Sequence, residues 1–342
     1  MNISTPPRRT TVAVAIPTYL REQTLVQTLE QVMMLDPLPD EVLVIDQSPA
    51  HQQATESYLN HRHQAGGLRW IRQETPNLPR ARNRALLETS CDVVIFIDDD
   101  VILTPGFIDN HVRNYADTRV CAVAGRILEP DRTKSRPDGT VNSSISHLFD
   151  YLHFPLESTK RAEWIANFRG CNHSVRRERL LELGGYDEHY IGWAFREDTD
   201  AAIRLWKAGA KIIFDPDACL THLAEPSGGC RVTFLREWQV SFPATYFSFR
   251  HLYPTRRFWT DVLLRNVRFY VLRKSNVFRP WRLPWAFAQY LRSVGLSWWR
   301  ARHFSCGSLQ GDQTVPSRLP RQAVQSTTPG GSPQHDLGHK VS

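Results

Sequence analysis

Residues Val93–Asp100, with the sequence VVIFIDDD, decide the fold class of this chain. Five consecutive apolar residues, four of them β-branched, are typical of a strand that is buried on both faces, and such strands belong to parallel sheets covered by helices. Asp98, Asp99 and Asp100 follow the strand directly. Because ligands bind at the carboxyl ends of strands in open sheets of this class, the acidic run lies where a binding site is expected.

Similar apolar runs occur on both sides of this stretch, at Val12–Ile16, Val42–Ile45 and Val120–Val123. Segments whose apolar residues have helical spacing lie between these runs, for example Leu25, Leu29, Val32 and Met33. Further elements are predicted elsewhere in the chain. They are a strand at Leu68–Ile71, helices at Arg177–Leu183 and Thr199–Ala208, and a strand at Lys211–Phe214. Strands that alternate with helices predict an α/β domain whose central sheet is mainly parallel and flanked by helices.

Composition divides the chain into four parts. Hydrophobic residues make up 41% and charged residues 23%, which is typical of a globular protein. The net charge of +7 comes from one segment, because His251–Ser305 holds eleven Lys or Arg and the single acid Asp261. We expect an extension at residues 1–10, a globular α/β domain at 11–230, an aromatic and basic helical segment at 231–305, and a disordered polar tail at 306–342. Residues Asp131–Asn142 predict an exposed loop.

The sequence favours a cytoplasmic location. Its six cysteines show no C-x-x-C pair or recurrent spacing, which fits a reducing compartment. The first ten residues lack the apolar stretch of a secretory signal, and no run of eighteen apolar residues predicts a membrane span.

The acidic run predicts a divalent-metal site. Side chains alternate along an extended strand, so Asp98 and Asp100 face one side and Asp99 faces the other. Clustered carboxylates repel one another unless a cation offsets their charge, and Mg²⁺ and Mn²⁺ prefer oxygen ligands. The alternative interpretation is a solvated acidic turn after a buried strand.

A second acidic group, Glu197, Asp198 and Asp200, lies at the predicted start of a helix. Asp198 or Thr199 could simply cap that helix. Three carboxylates within four residues exceed what capping needs, however, and Asp198 is our candidate for a general base.

Two further features leave alternatives open. Asn77–Asn83 predicts a helix start at which Arg80 and Arg82 meet phosphate or base groups, and a solvated basic helix start is equally compatible. His222 is a metal ligand if the fold places it beside Asp100, and a structural histidine otherwise.

In their order, these motifs resemble glycosyltransferase family 2, the inverting family with the Rossmann-like GT-A fold. The resemblance covers about residues 11–230 and rests on the motifs VAVAIPTYLREQTLVQTL, EVLVIDQSP, NLPRARNRAL, VVIFIDDDVILTPGF, GCNHSVRRERLLELGGYDE and REDTDAAIRLWKAG. Two positions depart from the usual pattern: Gln47 follows Asp46, and Pro79 stands where a glycine is common.

The resemblance implies a role for each matched residue. It assigns nucleotide binding to Pro17, Thr18, Tyr19, Asp46, Arg82 and Asp98. Within this set, Asp46 is expected to bond the N3–H of a pyrimidine and Asp98 the ribose. Asp100 and His222 hold Mn²⁺ or Mg²⁺. The donor sugar and the acceptor are bordered by Gly170, Cys171 and Asn172, and Glu197 and Asp198 form the catalytic pair in which Asp198 is the base.

The implied reaction moves a sugar from a nucleotide-diphosphate donor, with UDP or dTDP favoured, to an acceptor hydroxyl in polysaccharide or glycolipid assembly. The acceptor is then a saccharide or a lipid-linked molecule. A nucleotidyltransferase is an alternative, although IPTYLREQ lacks a glycine-rich phosphate loop. A non-catalytic scaffold that binds sugar nucleotides or membranes is another.

Tryptophans interleaved with arginines in residues 251–305 predict peripheral contact with a membrane surface. Packing of these tryptophans on the sheet ranks second among the interpretations. Nucleic-acid binding ranks last and is not expected.

Overall fold

Each apolar run in the first half of the sequence forms a strand of one sheet. The computed structural model describes residues 8–130, 157–192, 194–229, 237–305, 307 and 309. Over these residues the strands are β1 (Val12–Thr18), β2 (Glu41–Asp46), β3 (Arg69–Arg72), β4 (Val93–Ile97), β5 (Val101–Leu103), β6 (Val120–Leu128), β7 (Ala162–Glu163), β8 (Asn172–Arg176) and β9 (Lys211–His222). Their order in the sheet is β3-β2-β1-β4-β8-β6-β9-β5, and β7 pairs with β9.

The sheet is mainly parallel, as the sequence predicts. Strands β1, β2, β3, β4, β6 and β9 share one direction, and β5, β7 and β8 run against them. The reversal at the centre comes from β8, which lies antiparallel between β4 and β6. The carboxyl ends of β2, β1 and β4 therefore meet at one edge of the sheet.

Helices up to residue 207 cover both faces of this sheet, and further helices follow residue 237. Together they are α1 (Gln23–Val32), α2 (Gln53–Gln64), α3 (Leu78–Glu88), α4 (Phe107–Val112), α5 (Arg177–Glu182), α6 (Glu197–Lys207), α7 (Glu237–His251), α8 (Arg256–Trp259), α9 (Lys274–Val277) and α10 (Leu283–His303). Alternation along β1 separates two cores: Ala13 packs with α3, α5 and α6, whereas Val14 packs with α1 and α2. This arrangement confirms the α/β prediction.

Two predicted boundaries were wrong. Helix α6 begins at Glu197 rather than Thr199, and Arg196 precedes it in the left-handed conformation at φ 71°. Asp198 and Thr199 therefore lie inside the first turn and neither is the residue that caps the helix. Strand β9 does not end at Phe214 but continues to His222, because it pairs with β6 along most of its length and then with β5.

The helices after residue 237 pack against the sheet domain. Helix α7 joins its aromatic side chains to Ile203 of α6 in one buried cluster. Tyr246 donates a hydrogen bond to Asp187 at 2.9 Å, and the Nε2 atom of His251 lies 2.7 Å from Asp200. Along the described residues, no helix has both the length and the apolar character needed to cross a bilayer. The predicted loop at 131–142 and tail at 306–342 lie outside the described residues, apart from Gly307 and Leu309.

The five tryptophans of residues 251–305 do not pack on the sheet. Their exposed fractions run from 44% to 73%, for Trp259, Trp281, Trp285, Trp298 and Trp299. The packing interpretation of these side chains was therefore wrong. The core of this segment is formed by other side chains instead, among them Phe258, Val262 and Tyr290.

Candidate active site

The acidic run and His222 come together at the edge of the sheet. Strand β5 follows Asp100 and pairs antiparallel with the end of β9, so Val101 lies opposite His222. The Nε2 atom of His222 is 3.3 Å from Asp100 and 3.7 Å from Asp98. One ligand atom from each of these three residues lies within 4.8 Å of the others. Two carboxylates and one imidazole at this spacing form a donor set suited to Mn²⁺.

Asp99 points away from this group, as strand alternation predicts. The Thr18 hydroxyl donates a hydrogen bond to Asp99 at 2.6 Å, and the Nε atom of Arg21 lies 3.2 Å from its other oxygen. Burial raises the pKa of Asp99 to about 7, although Arg21 and Thr18 oppose this shift. Asp99 therefore ties the end of β1 to the acidic run from behind the site.

Arg21 is a site residue that the sequence analysis missed. Its guanidinium is buried between Asp99 and Asp100, with Nη2 3.3 Å from Asp100. Asp100 also accepts the backbone N–H of Glu225 at 2.9 Å. Burial disfavours ionised Asp100, but His222, Arg21 and this N–H outweigh burial and hold its pKa below the usual value. The sequence did contain a signal for Arg21. The opening motif VAVAIPTYLREQTLVQTL has a single arginine, two residues beyond Tyr19, which could pair with a buried acid of the site.

The second acidic group lies at the start of α6. Asp198 accepts the backbone N–H of Gly170 at 2.8 Å and that of Thr199 at 2.6 Å. The Thr199 hydroxyl donates to the same carboxylate at 3.2 Å. A carboxylate offers about four acceptor positions, so three bonds orient Asp198 and leave capacity for a proton.

Glu197 pairs with Arg82 beneath the site. Both side chains are buried, and Nη1 of Arg82 lies 2.6 Å from Glu197. Burial, and then the charge of Asp198, raise the pKa of Glu197, while Arg82 opposes them. Burial also opposes the charge of Arg82, but Glu197, Asp198 and Asp98 outweigh it and raise the pKa of Arg82. One guanidinium thus interacts with members of both acidic groups.

Gly170 and Cys171 lie between the two acidic groups. A side chain at Gly170 would place its Cβ 2.3 Å from Nη2 of Arg82, so any larger residue there would displace the guanidinium that pairs with Glu197. The half-buried Cys171 interacts with Asp98, Asp198 and Asp100, and burial together with these charges raises its pKa well above the usual value. Gly170 and Cys171 therefore border the space that joins the acidic groups.

Asn172 lies inside the sheet rather than at the border of this space. Its amide donates to the carbonyls of Arg126 at 2.8 Å and Ala218 at 2.9 Å, and its oxygen lies 3.1 Å from Nε2 of His111. The side chain is fully buried. Its contacts join β8 to β6 and β9, which is a structural role, and they leave it outside the predicted sugar contacts.

Asp46 is enclosed by donors from its own chain. It accepts from the N–H of Ser48 at 2.8 Å, the indole of Trp70 at 3.0 Å and Arg72 at 2.9 Å. Nε2 of His51 lies 2.9 Å away, and the Asp46 side chain is fully buried. These contacts occupy the carboxylate that the resemblance assigns to the N3–H of a pyrimidine ring.

The end of β1 provides the rest of the predicted nucleotide side. Pro17 and Thr18 are buried within the strand, whereas Tyr19 is half-buried beyond it. The N–H of Gly229 donates to the Tyr19 carbonyl at 2.8 Å, which brings the turn after β9 over the end of β1. The turn after β9 is thus bonded to the chain directly after β1.

Comparisons with known proteins agree with this geometry. The family described as Glycosyl transferase family 2 matches residues 13–184, half of the chain, and the family described as N-terminal domain of galactosyltransferase matches residues 151–223.

Two curated mycobacterial relatives are similar in sequence. The pre-mycofactocin glycosyltransferase of Mycobacterium tuberculosis is 26% identical over 148 residues, which are 42% of this chain and 29% of that protein. The galactofuranosyltransferase GlfT2 of Mycolicibacterium smegmatis is 27% identical over 255 residues, covering 64% of this chain and 38% of that one. The chain thus spans about a third of the length of these relatives.

Two solved structures share the fold. The mannosyltransferase PcManGT from Pyrobaculum calidifontis, in complex with GDP-Man and Mn²⁺, superposes with a TM-score of 0.51 at 18% identity, covering 87% of this chain and 77% of that one. GalNAc-T7 with UDP, GalNAc and Mn²⁺ gives a TM-score of 0.53 at 17% identity, covering 89% and 56%. The chain belongs to glycosyl transferase family 2 and has the GT-A fold.

Proposed function

We propose that this chain is an inverting glycosyltransferase in which Asp198 takes the proton of the acceptor hydroxyl. The observation that carries the proposal is the pair of acidic groups, which are joined by Arg82 and Cys171 through electrostatic interactions with both. Gly170 and Thr199 hold the Asp198 carboxylate in one orientation. A base fixed opposite the departing diphosphate favours attack on the far face of the sugar, which inverts the anomeric carbon.

We assign the divalent metal to Asp98, Asp100 and His222. Their ligand atoms converge within 4.8 Å, and both solved neighbours were crystallised with Mn²⁺. A bound Mn²⁺ or Mg²⁺ supplies charge neutralisation for the leaving nucleoside diphosphate. Arg21 supports this role because it holds the Asp100 carboxylate in place. Asp98 is thereby assigned to the metal in addition to the ribose contact that the resemblance implies.

A pyrimidine donor, UDP- or dTDP-sugar, remains the proposed substrate. We assign the nucleoside side to Pro17, Thr18 and Tyr19 at the end of β1. The half-buried Tyr19 is the most accessible of the three, because Pro17 is buried and the Thr18 hydroxyl is bonded to Asp99. For Asp46 to accept the N3–H of a base, the base must displace one donor from its carboxylate. Arg72 is the donor suited to this exchange, because its side chain is 42% exposed while Asp46 and His51 are fully buried.

The proposed setting is polysaccharide or glycolipid assembly at the cytoplasmic side of a membrane, with a saccharide or lipid-linked acceptor. The galactofuranosyltransferase relative supports a saccharide product, and it matches 64% of this chain. Cys91, Cys121, Cys171 and Cys219 are unpaired thiols, which supports a reducing compartment.

The test is Asp198→Asn. The variant keeps one oxygen as acceptor, for either Gly170 or Thr199, and cannot take a proton, so we expect transfer to fall at least about a hundredfold while donor binding is unchanged. Rates come from product formation and binding from calorimetry with UDP-sugar and Mn²⁺. The control is Asp109→Asn, an exposed carboxyl on α4. Normal turnover by Asp198→Asn contradicts the base assignment, and donor binding without turnover in the wild type points to a non-catalytic scaffold.

A further inference from the structure

An exposed apolar group lies where α9 turns into α10. Its members, here called the aromatic tip, are Val277, Phe278, Trp281 and Trp285. Phe278 is 80% exposed and Trp281 is 73% exposed. Lone exposed apolar residues are common on protein surfaces, but four large ones within nine residues form a patch of the kind that marks an interaction site.

The rest of the segment holds the aromatic tip outward. Asn276 is fully buried and donates to the carbonyl of Val271 at 3.0 Å. Arg273 and Arg282 flank the tip and both approach Glu237 at the start of α7, at 2.7 Å and 3.4 Å. The polar Asn276 is therefore buried, whereas the aromatic rings next to it are exposed, which inverts the usual pattern. The contacts of Asn276, Arg273 and Arg282 explain this, because they fix which side of the segment faces the solvent.

Apart from Glu237, which is paired with Arg273 and Arg282, the charge around the aromatic tip is positive. Residues 251–305 contain eleven Lys or Arg and one acid, Asp261. Asp261 is buried, accepts a hydrogen bond from Ser248 at 2.6 Å and lies 3.6 Å from Arg265. Within residues 251–305 no carboxylate is thus presented to the solvent, whereas Lys274 and Arg279 are exposed beside the tip.

More apolar side chains extend the surface along the same segment. They are also exposed and comprise Tyr253, Trp259, Leu263, Leu264, Phe269, Leu272, Phe287, Leu291, Trp298, Trp299 and Phe304. The segment thus combines exposed rings with an excess of positive charge over most of its length.

We propose that the aromatic tip inserts into the headgroup region of an anionic membrane, with Lys274 and Arg279 against the lipid phosphates. Tryptophan and phenylalanine gain free energy at the boundary of water and lipid, and basic side chains are attracted to anionic headgroups. Charge disfavours a second copy of this segment, which would bring like charges together. A nucleic-acid strand would be attracted by the same charge and could stack on the rings, but it would leave the aliphatic Val277 and the exposed leucines of the segment in water.

The inference does not rest on the sugar-transfer chemistry, because its readout is lipid binding. The full chain is mixed with vesicles of phosphatidylcholine alone or of equal parts phosphatidylcholine and phosphatidylglycerol, and the bound fraction is measured by sedimentation. We expect binding to the anionic vesicles and a decrease in binding as salt is added. The double variant Phe278→Ser/Trp281→Ser should lower this partitioning about tenfold or more, because it removes two aromatic side chains that become buried in the lipid on binding.

Matched variants separate the two contributions. Met34→Ser removes an apolar side chain that is 82% exposed outside the segment, and it should bind vesicles as the wild type does. Lys274→Gln or Arg279→Gln should each weaken binding to anionic vesicles about fivefold. Circular dichroism and the thermal midpoint of each variant establish that it is folded.

Three results would overturn the proposal. One is equal partitioning of the wild type and Phe278→Ser/Trp281→Ser on anionic vesicles. Another is a concentration-dependent dimer that the double variant loses, in a chain that ignores vesicles, because the tip would then join two copies. The last is binding of single-stranded DNA that the double variant loses, again without vesicle binding.

Discussion

Arg82 is a buried cation whose charge is balanced by Glu197 at 2.6 Å. Removal of one partner of a buried ion pair leaves the other without compensation, which costs about 3–5 kcal/mol. We therefore expect Arg82→Met to lower the free energy of unfolding by about that amount, as measured by urea denaturation.

The matched control is Arg80→Ala on the same helix. Arg80 lies 2.8 Å from Glu188, but its side chain is 47% exposed. An exposed pair of this kind contributes less than about 1 kcal/mol, so the control should remain close to the wild type. Equal losses in the two variants would contradict the role of burial.

The Arg82→Met variant should also depend on pH. Burial and Asp198 already raise the pKa of Glu197, and loss of Arg82 raises it further. A carboxyl whose pKa is raised in the folded state is favoured while protonated, and its contribution is lost as pH rises through that pKa. The deficit relative to the wild type is thus smallest in acid and grows toward alkaline pH. A deficit that shrinks as pH rises would contradict the account.

The metal assignment predicts a dependence on His222. EDTA should abolish transfer, and Mn²⁺ or Mg²⁺ should restore it. His222→Ala removes one of three converging ligands, so the Mn²⁺ concentration for half-maximal activity should rise about tenfold or more. His61→Ala, at an exposed histidine on α2, is the control. Activity that EDTA leaves unchanged would remove the metal from the mechanism.

At the scale of elements, α7 and α10 pack through small hydroxyl side chains. Ser241 lies 2.6 Å from Ser293, and one turn further along both helices Thr245 lies 2.7 Å from Ser297. Ser293 and Ser297 are fully buried, so the helices approach closely at both positions. Ser297→Leu overfills this contact and should lower the free energy of unfolding by about 1–3 kcal/mol.

Ala288→Leu in the same helix is the control for this prediction. Ala288 is exposed, so the larger side chain extends into solvent and stability should change by less than about 0.5 kcal/mol. Urea denaturation measures both variants. A small effect at Ser297 would mean that the contact between the two helices can widen without cost.

The start of α6 shows what sequence patterns resolve at this scale. The acids Glu197 and Asp198 favour a helix start by their charge, and the predicted element was confirmed. Its first residue was placed two positions too late, because a polar residue before a helix is usually its cap. Here the partners of Asp198 include Gly170, a residue 28 positions earlier that no local pattern could supply.

At the scale of the whole molecule, the donor can be identified by its effect on stability. UDP-, dTDP- and GDP-sugars are compared by thermal shift with Mn²⁺ present. A ligand at a hundred times its Kd stabilises the folded state by about 2.7 kcal/mol, which gives a clear shift of the midpoint. We expect UDP- or dTDP-sugars to stabilise the protein most. A preference for GDP would contradict the assignment of Asp46 to a pyrimidine.

Strands β5, β7 and β8, which run antiparallel to the others, were not predicted from the sequence. The sequence by itself determined the six parallel strands, the helices α1, α3, α5 and α6, the sheet class and the two acidic motifs. These features depend on residues that are neighbours in the chain, such as VVIFI followed by three aspartates, and local periodicity reports them. The glycosyltransferase family follows from the same motifs.

Tertiary structure alone decided which distant side chains meet. His222 reaches Asp100 because β5 pairs with β9, and Arg82 meets Glu197 across 115 residues of chain. The enclosure of Asp46, the burial of Asn172 and the bridging position of Arg21 are likewise long-range. Local patterns record which face of an element is apolar, but the partner of a buried charge is set by the packing of elements that the chain brings together only on folding.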